Sequence, residues 1–383
     1  MNKRHTSFLI LGGGIAGLTC AIALRKNNIE SIVADAALDF KPTGAGISLA
    51  ANALKAYRHL GIDAIIMKAA NELKQVDILD DKGKRISSTQ TREIGDGTPS
   101  IALHRGTLHQ VLLDQLSREN VLNGYKAKAI VRNEKGYLIT FTNGEEITTD
   151  YLIAADGIHS LARTHVSPRS ILRYSGHSCW RGVTTNDNDL PQYIASESWG
   201  AAGRVGLVPI DGNRIYWFVV KNAPAGSEQM RKYTREDLLL DFGHFHAPVG
   251  KVIAKTDQKD IIHHDIYDLK PIGRFADKNM VLIGDAGHAT TPNMGQGACQ
   301  AIEDAVILAQ CIKNHSVMAD AFKEYEQLRI KRVHMIVNQS WTMGKVGQLE
   351  NPLLIGMRNL LFRSLPSGIM KNQLEKIYDF KLN

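Results

Sequence analysis

The sequence predicts an α/β fold: a Rossmann-type dinucleotide-binding domain with an inserted, mainly β-sheet domain and a helical C-terminal segment. Three observations carry that prediction. The chain opens as an apolar run, a glycine-rich turn and an apolar-periodic helix, the first half of a βαβ unit. Residues 171–274 then take on strand texture, with the turn Asp211-Gly212-Asn213 between two apolar runs. After that stretch, Met280-Val281-Leu282-Ile283 returns as a parallel-type strand, so the nucleotide-binding portion is discontinuous.

Taken in order, residues 7–11 form a short apolar run, as expected of a buried strand. Residues 15–26 place Leu18, Ala21, Ile22 and Leu24 at helical spacing, and Asn27-Asn28 ends the helix. Residues 31–34 read as the second strand, and 50–60 as a helix stopped by Gly61. Residues 76–79, 80–84 and 85–88 read as strand, polar turn and strand. A helix is expected over 107–116, a hairpin over 137–149 around Asn143-Gly144, and a buried strand over 151–155. A long helix begins near Gly297 and continues through Ala309, and the chain from about 318 is largely helical. The expected division is a dinucleotide-binding domain of 1–72, 100–170 and 275–317, a substrate domain of 73–99 and 171–274, and a helical segment of 318–383.

Composition narrows the function class. Hydrophobic residues make up 44% and charged residues 22% of 383, which are globular proportions and exclude wholesale disorder. The net charge of +7 favours anionic small molecules at long range, but it is dispersed. Its densest run, Arg329-Ile330-Lys331-Arg332, reads as a solvated helix face, and no nucleic-acid module accompanies it. Cys20, Cys179, Cys299 and Cys311 form no CxxC pair, so neither a zinc site nor a disulfide framework is expected, which fits a reducing cytoplasm. Lys3 and Arg4 before Phe8-Leu9-Ile10-Leu11 imitate a secretory signal, but Gly12-Gly13-Gly14 interrupts the apolar run. No stretch of about 18 uncharged apolar residues predicts a spanning helix. His244, His246, His263 and His264 lack the i, i+4 zinc pattern, so no metal is expected.

Three motifs carry chemistry. In Gly12-Gly13-Gly14-Ile15-Ala16-Gly17, Gly12 permits a tight turn and Gly14 lets a pyrophosphate approach the backbone. Gly17 lets helix and strand pack closely, and the helix N-terminus faces the phosphates. Asp35, followed by Ala36, ends the second strand where an acid would bind the ribose hydroxyls. The second motif, Asp156-Gly157, follows a buried strand and is by itself only a turn acid. The third runs from Gly284-Asp285-Ala286-Gly287-His288 to Pro292-Asn293-Met294-Gly295-Gln296-Gly297. There Gly295 and Gly297 free the backbone to approach a ligand at a helix start. Glu303 and Asp304, farther along that helix, read as structural.

In this order the three motifs resemble group A FAD-dependent monooxygenases, which have the p-hydroxybenzoate hydroxylase fold; the resemblance covers about residues 6–310. It implies that Asp35 holds the FAD ribose, that Asp156 serves both FAD and NAD(P)H, and that Asp285 lies at the ribityl and pyrophosphate. It places Pro292, Met294, Gly295, Gln296 and Gly297 by the isoalloxazine, with Arg105 reaching FAD from a helix start. Gly44-Ala45-Gly46-Ile47, with Asn52-Ala53, matches the loop lining the flavin's mobile side. Asp35 stands where most relatives have Glu, and Gly287 where many have Ala. No second GxGxxG appears, so NAD(P)H is expected as a transient cosubstrate without a domain of its own.

The implied reaction is hydroxylation of a small aromatic or heteroaromatic molecule, with NAD(P)H, O2 and a flavin C4a-hydroperoxide; no side chain need be a catalytic acid or base. Cys179-Trp180-Arg181-Gly182 and the hairpin bearing Arg204 and Tyr216 look like the pocket walls of urate-hydroxylase-like and salicylate-hydroxylase-like flavoprotein monooxygenases. Arg204 would pair with an anion or carbonyl edge, and Tyr216 would give an aromatic face and a hydroxyl. Arg204 as a surface ion pair, and Trp180 or Tyr216 as core, stay open as alternatives. Asn293 replaces an aspartate of the urate enzymes, which counts against urate itself. Two other readings fit the same features: an epoxidase or monooxygenase of a larger, antibiotic-like substrate, as in the tetracycline-inactivating type, and a flavin-binding redox protein without oxygenase activity. A cytoplasmic monomer or homodimer is expected; the tail, with Leu353-Leu354-Ile355-Gly356-Met357 and Leu360-Leu361-Phe362, could touch a membrane surface, but packing on the flavin domain or another subunit is favoured because the segment lacks a strongly basic polar face.

Overall fold

The computed structural model describes residues 4–40 and 45–382. Gly44, expected in the flavin-lining loop, lies outside the described residues.

The first strand, Arg4–Leu11, pairs in parallel with Ile32–Asp35 on one side and Glu146–Ala154 on the other. Val121–Asn123 and Met280–Leu282 extend the parallel run outward. Leu9, Ile10, Val33, Ile153 and Val281 are almost wholly buried, which is why these strands read as continuous apolar runs rather than as alternating ones. Helix Ile15–Lys26 is buried nearly all round, because it lies between this sheet and the equally apolar helix Gly297–Asn314.

A second, seven-stranded sheet runs in the order Ile262–Leu269, Leu172–Thr185, Arg214–Asn222, Gly203–Ile210, Ile194–Gly200, Gln75–Asp80, Arg85–Gln90. The early hairpin, residues 75–90, therefore joins strands more than a hundred residues later, through the parallel pair Ile194↔Gln75. Helices Arg235–Phe242 and Val249–Ala254 cover one face of this sheet in a core with Trp180, Trp217 and Val219. A third sheet of three short strands, Gly46–Leu49, Ser100–His104 and Asn71–Leu73, lies between the other two in the chain's path. Three helices end the chain: Met318–Gly347, Pro352–Ser364 and Ser367–Tyr378.

The run Arg329-Ile330-Lys331-Arg332 corrects the expectation of a solvated face. Arg329 has no exposed surface and forks onto Glu303 (Nη1–Oε2 2.5 Å) and Asp304 (Nε–Oδ1 2.6 Å), both also fully buried. Arg332 adds two further bonds to Glu303 at 2.8 Å. A buried charge persists only when paired, and here two acids on one helix hold the cations of the next.

Candidate active site

Parallel register brings the first two motifs and the start of the third to one edge. Leu11 pairs with Ala34 and with Ala154, and Ala154 with Leu282, so the strands end level. Gly12, Asp35, Asp156 and Gly284-Asp285 all follow at that carboxyl edge, where open α/β sheets bind ligands. Gly12 has φ +102°, and a Cβ there would lie 2.2 Å from the Ala155 carbonyl. A Cβ on Gly17 would lie 1.9 Å from the Gly12 carbonyl, so this glycine is required for packing. Gly14 differs: a Cβ there would meet nothing within 4 Å. The space in front of the helix start is open, as a pyrophosphate cradle requires.

The acids are held in place. Asp35 accepts from the backbone N–H of Gly13 (2.6 Å) and of Ala37 (2.8 Å), which fixes the carboxylate beside the glycine turn, with exposed Ala36 between. Asp156 accepts from Leu161 N–H (2.9 Å) through Oδ2, while its buried Oδ1 has no partner among the described residues. Asp285 is exposed at the start of the turn Asp285–His288, and Gly284 before it (φ +58°) packs against Ala16 of the first helix. Ile15 is buried and Ala16 partly so. Arg105 is exposed at the start of helix Arg105–Leu113 and donates its backbone N–H to Ala45 (3.0 Å). The Gly46↔His104 strand pair sets the Gly46-Ile47 segment beside it.

The turn Pro292–Met294 leads through Gly295 (φ +62°) and Gln296 into helix Gly297–Asn314. Gly295 has open space where a Cβ would be. Gln296 is buried, and a chain of bonds fixes its amide. Glu303 Oε1 accepts from Asn52 Nδ2 (2.6 Å) and Gln300 Nε2 (3.1 Å), so both amides must present their NH2 groups. Those same groups donate to Gln296 Oε1 at 3.0 and 2.9 Å. The Gln296 NH2 is therefore turned away from them, buried and without a partner among the described residues; so is Asn52 Oδ1. Spare buried donors and acceptors of this kind, with the open glycines, fit a polar cofactor edge, and the FAD site named from the sequence is chemically suited to its ligand.

The seven-stranded sheet presents one face to this turn. Strand pairing sets Cys179, Val220 and Arg204 side by side, then Arg181 with Phe218, and Val183 with Tyr216. Arg204 is 2% exposed and each of its three nitrogens donates to a protein acceptor: Nη2 to Asn293 Oδ1 (2.6 Å), Nη1 to Glu197 Oε1 (3.0 Å) and Nε to Gln348 Oε1 (3.0 Å). It therefore ties the flavin-side turn, the sheet and the tail together. Asn293 spends its own NH2 on Thr291 Oγ1 and the Ser340 carbonyl. Gly344 and Gly347 let the tail helix lie on this pair, since Cβ atoms there would come within 2.5 Å of Asn293 and 2.9 Å of Arg204. A Cβ on Gly46 would lie 2.4 Å from Tyr216, a second tie between loop and sheet. Burial, with Cys179 next, pushes the Tyr216 phenol up, so its hydroxyl stays neutral. Burial likewise raises the Cys179 thiol.

Trp180 is a correction. It is adjacent to Cys179, and side chains alternate along a strand, so it points to the opposite face. There it is 1% exposed in the core with Val205, Trp217 and Val219, and it does not line the face that carries Arg204. Sequence reasoning passed over three residues on or beside the face that carries Arg204: His177, Glu197 and Gln348. Period-two spacing from Cys179 would have reached His177, as it does Arg181. Glu197 and Gln348 are non-local partners with no local signal. Arg181 Nε and His177 Nδ1 are buried without partners among the described residues. Burial, reinforced by Arg204 and Lys345, lowers His177 to about 4, so it is neutral near pH 7.

Such a fold and site define an FAD-binding flavoprotein. The profile of the FAD binding domain family matches residues 5–340. The chain is 36% identical over 367 residues to aurachin C monooxygenase/isomerase of Stigmatella aurantiaca, covering 95% of this chain and 96% of that one. It is 31% identical to 2-heptyl-3-hydroxy-4(1H)-quinolone synthase of Pseudomonas aeruginosa over 379 residues, 97% of each. The crystal structure of Klebsiella pneumoniae HpxO with FAD and uric acid superposes with a TM-score of 0.90 at 30% identity, covering 97% of this chain and 96% of the other. The chain belongs to the group A FAD-dependent monooxygenases and is an FAD-dependent enzyme of that family.

Proposed function

We propose that this monooxygenase uses NAD(P)H and O2 to hydroxylate a small, neutral heteroaromatic ring bearing a carbonyl, of the 4-quinolone kind. The observation that carries the reading is Arg204, whose charge is balanced by Glu197 and whose three nitrogens each already donate to a protein acceptor. Such an arginine shapes a wall and offers little net charge to an anion. Free polar capacity on the same face comes from Arg181 Nε–H and the neutral Tyr216 hydroxyl, a donor set suited to a ring carbonyl. The relatives named for aurachin C and for a 4(1H)-quinolone support the same substrate class.

Bound FAD supplies the oxygen chemistry. The protein's part is to position and to shield. Gly12, Gly14 and Gly17 shape the phosphate cradle; Asp35, Arg105, Asp156 and Asp285 hold the polar length of the cofactor, and the Pro292–Gly297 segment its ring. The 73–99 and 171–274 portion is the substrate domain, and the tail helix closes one side against water through Gly344 and Gly347. The enzyme works in the cytoplasm.

The test is a panel of ring compounds, 2-alkyl-4-quinolones and urate included, scored for stimulated NAD(P)H oxidation and for one O2-derived oxygen in the product. Quinolone stimulation with oxygenated product is expected. If no ring compound stimulates oxidation, or if H2O2 alone accumulates, the reading is wrong.

A further inference from the structure

The helix Pro352–Ser364 turns its apolar side outward. Leu353, Leu354, Met357, Leu360 and Leu361 are 78, 47, 68, 67 and 60% exposed. At about 100° per residue these five positions fall within one arc of about 120°. The opposite arc docks. Arg358 is buried, stacks over the Trp199 ring at 4.9 Å and donates to the Val346 and Gly347 carbonyls at 3.2 and 3.1 Å. Phe362 meets Trp199 edge-on at 5.7 Å. Burial and the neighbouring Arg204 lower Arg358 to about 10, still a cation at neutral pH. The helix is thus fastened beside Arg204 by an arginine and a phenylalanine while its leucines face solvent. A helix that served only to complete the fold would bury that arc.

We propose that this face seats the protein on an anionic phospholipid surface, with the helix lying in the headgroup plane. No helix among the described residues is long and apolar enough to cross a membrane, so the attachment is peripheral. Two observations select a lipid surface over a second copy of the chain. The first is area. The stripe offers roughly 500 Å², large for a single patch on a monomer yet short of the about 800 Å² per partner of a stable protein interface. Shallow insertion of one arc needs no more than this. The second is charge. Between Glu350 and Glu375 the chain has no carboxylate; Arg358 is turned into the protein, which leaves Arg363 and Lys371, the latter 3.9 Å from Glu375, as the outer cations. Arg363 donates to the Arg85 carbonyl (3.1 Å) and is ion-paired with Asp80 (2.8 Å), which brings exposed Lys84, and Arg85 with its partner Asp77 at 3.9 Å, to the helix's C-terminal end. With a net charge of +7, the whole chain is drawn to acidic headgroups. The proposal needs neither cofactor nor substrate, so it stands or falls apart from the reading above.

Flotation of the full-length protein with vesicles tests it. Native protein should float with phosphatidylglycerol-containing vesicles, weakly with pure phosphatidylcholine, and less at high salt. Leu353→Ser, Met357→Ser and Leu360→Ser together should weaken flotation at least about tenfold with an unchanged melting curve, because all three are exposed. If that variant melts early, Met357→Gln alone should cost roughly threefold. The proposal is overturned if native protein floats with neither vesicle, or if native and variant float equally. It is also overturned if sedimentation reveals a dimer that the triple variant dissolves while vesicles bind nothing.

Discussion

Arg204 lies 3.0 Å from Glu197 on the sheet face that looks onto the Asn293 turn, so the Arg204 charge beside the candidate pocket is balanced from within. The pair shapes the polarity of the site together with Arg181 and Tyr216. Substrate preference should follow it.

Glu197→Gln keeps the shape and a hydrogen bond to Arg204 but removes the balancing charge. Affinity for an anionic ring such as urate, relative to a neutral quinolone, should rise about tenfold or more. Binding titrations of the two ligand types check this. An unchanged ratio would remove Glu197 from the electrostatics of the site.

Arg204→Ala should raise the KM for the true substrate while FAD content per chain stays constant. It also releases Gln348 and leaves the partly buried Glu197 with Trp199 Nε1 as its donor, so stability should fall by roughly 2–3 kcal/mol. Kinetics and urea melts on one preparation separate the two effects.

His177 gives a pH signature. Its folded value of about 4 lies below the ordinary 6.5, so below pH 6.5 the unfolded chain takes up a proton that the folded chain refuses. Stability should therefore decline as pH falls from 6.5 towards 4, with no contribution above 6.5. His177→Gln should flatten that limb in melting curves recorded across this window. An identical decline in the variant would show that other groups cause it.

Arg329→Ala would remove the cation shared by buried Glu303 and Asp304, leaving Arg332 on the first and His288 with the Gly284 N–H on the second. Burial alone would raise Asp304, but His288 and Arg329 outweigh it and hold the carboxyl well below the ordinary range. Losing the cation should cost roughly 3–5 kcal/mol, and Arg329→Lys should restore only part of it, because lysine lacks the fork. Urea denaturation measures both.

The glycine turn, Asp35 and the returning strand made the α/β fold class legible, because each is a local requirement of the βαβ turn. The three-stranded sheet was not legible. Its strands span three to five residues and pair across tens of positions, as Gly46↔His104 does. The burial of Arg329 was hidden because its partners lie on another helix, and four residues of mixed charge and apolarity look alike whether solvated or clamped. The face of Trp180 was a matter of strand parity. Without a known anchor on that strand the sequence allowed either side, and only the cross-strand register places Cys179 and Arg204 together with Trp180 behind them.

The central claim is that the open space at Gly14 receives a cofactor phosphate, so FAD titration of native and Gly14→Ala apoprotein tests it most directly. A methyl group at this position meets nothing in the folded chain, so both proteins should melt alike. The native chain should bind one equivalent of FAD, read by quenching of flavin fluorescence, and the variant should bind at least about tenfold more weakly. Equal affinity in the two proteins, or a folded native chain that takes up no FAD, would contradict the account.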